Sequence, residues 1–136
     1  MVLGVGVDLV RISRIRRILE RWQERFLRRV FTPDEVAYAL GRHDPPEHLA
    51  ARFAAKEATL KALGTGLTMG VRWHEIEVRR AQGQRPTLAL SGRTAALGVA
   101  RGVRTLHVSL THDGDYAMAQ VLAEGESAGG EPGSGR

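Results

Sequence analysis

The chain has 136 residues, 43% of them hydrophobic and 26% charged, which suits one core of ordinary composition and excludes wholesale disorder, collagen-like repeats and disulfide scaffolds. It has no cysteine, so thiolate chemistry is excluded, and no uncharged apolar run reaches the ~18 residues of a membrane span, which leaves the cytoplasm as the expected compartment. The formal charge is +5, and because residues 124–136 hold three Glu and one Arg, the body before them carries 19 basic against 12 acidic residues, a balance that favours polyanionic partners.

Leu3 to Leu9 mixes Val and Leu with two glycines and ends at Asp8, which predicts a buried strand presenting a carboxylate. The GVGVD run lacks the third glycine of a dinucleotide-binding turn, so its glycines are read as places of close backbone packing. From Arg11 to Val30, Ile12, Ile15, Ile18, Leu19, Trp22 and Phe26 recur with helical spacing. On an unbroken helical wheel, seven arginines from Arg11 to Arg29 then fall within an arc of about 120° beside that apolar face. Thr32-Pro33-Asp34-Glu35 is a capping-box sequence, predicting a short helix to Leu40 that stops at Gly41.

After a loop at Arg42–Pro46, a third helix is predicted from about Glu47 to Leu63, with Gly64-Thr65-Gly66 turning the chain after it. Glu75–Arg80 and Thr87–Leu90 read as a hairpin, and Thr94–Arg101 as a helix capped by Ser91. Thr105–Thr111 and Tyr116–Leu122 read as two strands joined by a tight turn in His112-Asp113-Gly114-Asp115. The expected domain is 1–123, with the Gly- and Ser-rich segment 124–136 as a disordered tail.

Of the 20 basic residues 18 are Arg, and the only lysines, Lys56 and Lys61, stand five residues apart. Two lysines kept together in an arginine-rich chain point to sites that need a compact ammonium. Glu57 and Lys61 are i, i+4 neighbours, as are Arg52 and Lys56, which would gather three cations around one carboxylate and leave room for an anion. Should Asp8 meet Glu57, two carboxylates would suit Mg²⁺ on phosphate oxygens. His112, at a strand end with Ser109 and Thr111, reads either as a partner in the turn or as a phosphate donor. A basic domain using the arginine stripe on nucleic acid is the rival reading. It leaves the lysines with Glu57 unexplained and has few aromatics for stacking, so no nucleic-acid partner and no membrane partner are expected.

The motifs Gly6-x-Asp8, Phe31-Thr32-x-x-Glu35, Arg52-Phe-Ala-Ala-Lys-Glu-Ala-x-x-Lys-Ala-x-Gly-Thr-Gly66 and His107-Val-Ser-Leu-Thr-His112 followed by Tyr116-Ala-x-Ala-Gln-Val121, in this order, resemble the holo-[acyl-carrier-protein] synthases, small bacterial 4'-phosphopantetheinyl transferases. The resemblance covers about residues 2–122. It implies the α+β fold of that family, a small antiparallel sheet packed on a long helix, assembled as a homotrimer with active sites at the subunit interfaces. The implied reaction, in fatty acid biosynthesis, moves the phosphopantetheine arm of coenzyme A to a serine of apo acyl carrier protein and releases adenosine 3',5'-bisphosphate. By motif position Asp8 and Glu57 would hold Mg²⁺, and Lys61, with Glu57, would act at the transferring phosphoryl group. Arg52, Lys56, Gly64, Gly66 and His112 would line the coenzyme A pocket. The family usually has a small hydroxyl residue after that last histidine, where this chain has Asp113. The acceptor of the serine proton stays open between a metal-bound water, Glu57 and another group. The arginine stripe, with Arg14 and Arg21 near its centre, is expected to dock the acidic carrier.

Overall fold

A computed structural model describes residues 1–81 and 83–126. The elements in chain order are β1 (Val2–Arg11), α1 (Ile12–Val30), α2 (Pro33–Leu40), α3 (Pro45–Ala62), a single 3₁₀ turn at Trp73–Glu75, β2 (Ile76–Arg79), β3 (Thr87–Leu90), α4 (Gly92–Ala100), β4 (Val103–Asp113) and β5 (Tyr116–Gly125). β1, β5 and β4 form an antiparallel sheet in that order, while β2 and β3 form a separate hairpin. The result is the expected α+β arrangement, with the sheet lying on α3.

Small residues set that contact. Ala117, Ala119, Val121 and Ala123 of β5 alternate inward, and Ala54, Ala55, Ala58 and Ala62 of α3 meet them, all buried. Gly6 lies opposite Val121 in the sheet and so close to α3 that any Cβ there would overlap the Ala58 carbonyl; Gly4 stands likewise against Ala62. The glycines of the GVGVD run therefore do what the strand reading expected. They bring β1 onto the helix backbone, and Asp8 follows two residues later. The opposite sheet face stays open, with Val5, Val7, Leu9 and Met118 exposed on it.

Helix α2 has the expected capping box: Glu35 N–H donates to Thr32 Oγ1 and Thr32 N–H donates to Glu35 Oε1. Helix α3 begins at Pro45, two residues before the expected start, because prolines fit the first helical turn. It ends in a Schellman arrangement, Thr65 N–H bonding Leu60 O and Gly64 N–H bonding Lys61 O, with Gly64 at φ +77°.

Three expectations are corrected. The Ser91 side chain makes no cap on α4; Glu75 does this instead, accepting from Arg93 N–H, Thr94 N–H and Thr94 Oγ1. Helix α1 is not one continuous wheel, because Gln23 at φ 23°, ψ −100° interrupts it. Arg14–Arg21 and Arg25–Arg29 thus lie on two separately phased segments, Arg11 belongs to β1, and the single 120° arc dissolves. Finally, β5 runs to Gly125, whose N–H donates to Met1 O, so the expected tail boundary at residue 124 falls inside a strand; 127–136 lie outside the described residues.

Candidate active site

The strand and the helix meet at a carboxylate. Asp8 lies opposite Ala119, where β1 reaches the last turns of α3. Lys61, on the final turn, donates from Nζ to Asp8 Oδ1 at 3.1 Å and to the Val7 carbonyl at 2.9 Å. The i, i+4 ion pair expected between Glu57 and Lys61 is replaced by this Lys61–Asp8 pair. Glu57 completes the group. Burial, then the negative charge of Asp8, push its carboxyl above the usual carboxylate range, while the Trp73 indole N–H, Lys61 and Arg14 pull the other way. Arg14, expected on the carrier-docking face, lies within range for its charge to act on Glu57. Arg21 sits about two turns further along the same segment of α1, its guanidinium 5.4 Å from the centre of the Trp22 ring.

Lys56 was expected to line the coenzyme A pocket. It is instead sealed in the core, fully buried together with Glu35, and the two form an ion pair of 2.6 Å. Its ammonium also donates to the Trp73 carbonyl at 3.1 Å and to the Ile76 carbonyl, so all three of its donors are taken inside the protein. Glu35 in turn accepts from the backbone N–H groups of Val78 and Thr32. Burial pulls the Lys56 ammonium below its ordinary value, and the Glu35 charge opposes that. Glu35 is the ion-pair partner of Lys56 that sequence reasoning missed. Its place in the Phe31–Glu35 motif was a signal, and the spacing of α3 alone could not name it as the partner of Lys56.

Arg52 is 2% exposed, with its guanidinium 4.0 Å from the Tyr38 ring centre, and Arg42 covers the same ring at 4.3 Å. Burial lowers the Arg52 value, and its Nε has no hydrogen-bond partner among the described residues. Arg52 lines a pocket of about 360 Å³ with Asp34, Tyr38, Glu77, Arg79 and Arg80, a basic concavity with a spare buried donor. His112, near the β4–β5 turn, approaches Glu47 of the first α3 turn at 3.4 Å, and burial next to Arg52 holds His48 below its ordinary value. Gly64 and Gly66 follow Lys61 in an exposed turn, and Gly66 has open space where a side chain would stand. Asp113 is exposed and pairs with Tyr116 at the hairpin end. Among the described residues no three His, Asp or Glu side chains cluster as a metal cage, and no helix is long and apolar enough to cross a membrane.

A family model of the 4'-phosphopantetheinyl transferase superfamily matches residues 4–121. The holo-[acyl-carrier-protein] synthase of Syntrophotalea carbinolica is 51% identical over 122 residues, spanning 90% of this chain and 95% of that one. The synthase of Koribacter versatilis is 44% identical over 124 residues, covering 91% and 99%. Among solved structures, the holo-[acyl-carrier-protein] synthase of Neisseria meningitidis superposes with a TM-score of 0.84 at 31% identity, covering 91% and 99% of the two chains. The Bacillus anthracis synthase, solved in complex with CoA (3',5'-ADP), gives 0.75 at 34% identity and covers 93% and 99%. The motif order, the sheet on its alanine-rich helix and these likenesses agree: the chain belongs to the 4'-phosphopantetheinyl transferase superfamily, among the holo-[acyl-carrier-protein] synthases.

Proposed function

We propose that this chain transfers the 4'-phosphopantetheine arm of coenzyme A to a serine hydroxyl of apo acyl carrier protein, releasing adenosine 3',5'-bisphosphate, as the names of its relatives and the coenzyme-bound neighbours suggest. The observation that carries the reading is the convergence of Asp8, Glu57 and Lys61 at the contact of β1 with α3. Phosphoryl transfer asks a protein for placement and charge neutralisation more than for covalent chemistry, and this group supplies both.

The donor set fits Mg²⁺. Two hard carboxylates lie close enough for the charge of one to raise the proton affinity of the other, and Mg²⁺ is held by one or two carboxylates together with substrate phosphates and water. Asp8 and Glu57 would hold it, and when bound it neutralises charge on the pyrophosphate. Lys61, half exposed on a flexible stem, is free to leave Asp8 for a phosphate oxygen near the leaving group. Arg52 with its unpaired Nε, the neighbouring Arg79 and Arg80, and His112 offer donors for the terminal phosphate of the coenzyme; Gly64 and Gly66 leave an open turn beside Lys61. Lys56 takes no part in binding.

The homotrimer belongs to the same proposal. Val5, Val7, Leu9 and Met118 expose an apolar sheet face that a second copy would cover, and Asp8 stands on the strand bearing that face. The cytoplasm and the supply of charged carriers to fatty acid biosynthesis follow from the same reading. The test is direct: incubate the protein with coenzyme A, Mg²⁺ and apo carrier, and weigh the carrier by mass spectrometry. A gain of one phosphopantetheine arm supports the reading, and an unchanged mass refutes it.

A further inference from the structure

After α3 the chain crosses the surface over residues 64–70 without burying one of them, so the core does not fix its course. Yet Met69 there has φ 63°, a left-handed backbone that a residue with a side chain keeps only where its surroundings impose it. Two arginines at the ends of α4 grip this segment. Arg93, in the first turn, donates from Nε to the Met69 carbonyl at 2.8 Å. Arg101, at the C-terminal cap, donates from Nη1 to the Leu63 carbonyl and points Nη2 at Met69 Sδ, 3.5 Å away. A planar guanidinium reaches two acceptors at once, as this double hold requires. Two glycines make the room: a Cβ on Gly64 would stand 2.8 Å from Arg101 Nη1, and one on Gly70 would stand 2.5 Å from Arg93 Cδ and Nε.

The tied segment starts at the site. Gly64 N–H donates to the Lys61 carbonyl at 3.0 Å, and the Lys61 ammonium is the one on Asp8. Between the two ties Gly66, Leu67 and Thr68 are exposed, with Thr65 Oγ1 and Thr68 Oγ1 3.2 Å apart across the turn. Resting on the function proposed above, we propose that Arg93 and Arg101 are positioning residues for coenzyme binding: they hold residues 64–70 on α4 in one shape, so that the open turn beside Lys61 is formed before the coenzyme arrives. A segment released from α4 has to be ordered by the ligand, and the apparent affinity falls with the fraction of molecules already in the competent shape. The bound state, once reached, keeps its Asp8, Glu57 and Lys61 group unchanged.

The test uses Arg101→Met and Arg93→Met, each of which keeps an apolar stem and deletes the donors of one tie. Coenzyme A binding is read by titration calorimetry, transfer by kcat, and the segment by amide hydrogen exchange at Gly64, Thr65 and Val71, with Ala119 and Val121 of β5 as reference. Each variant should weaken coenzyme A binding about fivefold or more, the factor for a competent shape kept by about a fifth of the molecules, while kcat at saturating coenzyme stays within about twofold. The segment amides should exchange faster, the β5 amides should not, and saturating coenzyme A should slow the segment again. Arg101→Lys, whose ammonium can keep one acceptor, should fall between wild type and Arg101→Met, and it is read in place of Arg101→Met where that variant does not fold. Unchanged exchange in the segment, exchange that quickens equally in β5, coenzyme A binding within about twofold of wild type, or a loss confined to kcat would each overturn the proposal. A wild-type chain that binds no coenzyme A refutes the proposed function instead, and the exchange rates still decide whether the two arginines hold the segment.

Discussion

Gly6→Ala tests how tightly the fold sets the site. Gly6 touches no ligand in the proposed reaction. Its place against Ala58 fixes how near β1 comes to α3, and Asp8 is carried on that strand. A methyl group there would overlap the Ala58 carbonyl oxygen and stand 2.8 Å from its carbon and 2.9 Å from Ala62 N. Ordinary contact begins near 3.5 Å, so the strand has to retreat by more than about 1 Å. The obstacle is backbone, which cannot swing aside like a side chain. Overpacking of this kind costs about 1–3 kcal/mol, or about 4–12 °C in Tm for a domain of this size. The same displacement moves Asp8 away from Glu57 and Lys61, and a misplacement of about 1 Å at reacting groups costs on the order of 10²-fold in rate. The assay is a thermal melt together with kcat for carrier modification at a temperature where the variant is folded. Gly66→Ala serves as the control for the melt, since nothing lies within 4 Å of a Cβ there. A folded Gly6→Ala protein with near wild-type kcat would refute the claim that the β1–α3 contact sets the site.

Lys61→Arg should lose most of the transfer rate although arginine serves at 18 other positions, because a planar fork does not replace a compact ammonium between Asp8 and a phosphate; equal turnover would sink the argument. Arg21→Glu should raise KM for apo carrier several-fold, by an amount that shrinks as salt is added, and leave KM for coenzyme A alone. Arg21 is the cleaner choice than Arg14, whose field reaches Glu57. Glu75→Gln should destabilise the protein by about 1 kcal/mol at pH 7, the worth of a helix cap. Burial raises the Glu75 carboxyl, but the donors Thr94 and Arg93 prevail and hold it below its ordinary value. A carboxyl depressed in the folded state contributes stability above its unfolded pKa and loses it as pH falls through the folded one. The gap between wild type and variant, read from urea melts, should therefore close below about pH 4; a gap that persists there would contradict the cap.

Local signals carried most of the fold. Thr32 and Glu35 announce a helix start within four residues, and Gly64 announces a stop, so α2 and the end of α3 were legible; the hairpin of β4 and β5 follows from alternation around Gly114. Asp8 and Lys61 were legible as site residues through their motifs, while their pairing was not, because it joins a strand and a helix 53 residues apart. The same limit hid the partner of Lys56. Helical spacing reports neighbours on one helix surface and says nothing of a carboxylate arriving from α2. It also hid the Glu75 cap, made across 19 residues to Thr94. The break at Gln23 had no glycine or proline to mark it, and the wheel drawn through it placed seven arginines on one arc. Composition misled at the end of the chain, where Glu124 and Gly125 read as tail but complete β5 through backbone pairing with Met1 and β4.

The most direct measurement is transfer by chelator-stripped protein as Mg²⁺ is restored, followed by the intact mass of the carrier, for wild type, Asp8→Asn and Glu57→Gln. If the two carboxylates hold the metal on the pyrophosphate, wild type should add one phosphopantetheine arm only as Mg²⁺ returns. Both folded variants should then fall short by several kcal/mol of transition-state stabilisation, on the order of 10³-fold in rate. Transfer that survives chelation, or a near-normal rate in either variant at ordinary Mg²⁺, would contradict the assignment of Asp8 and Glu57.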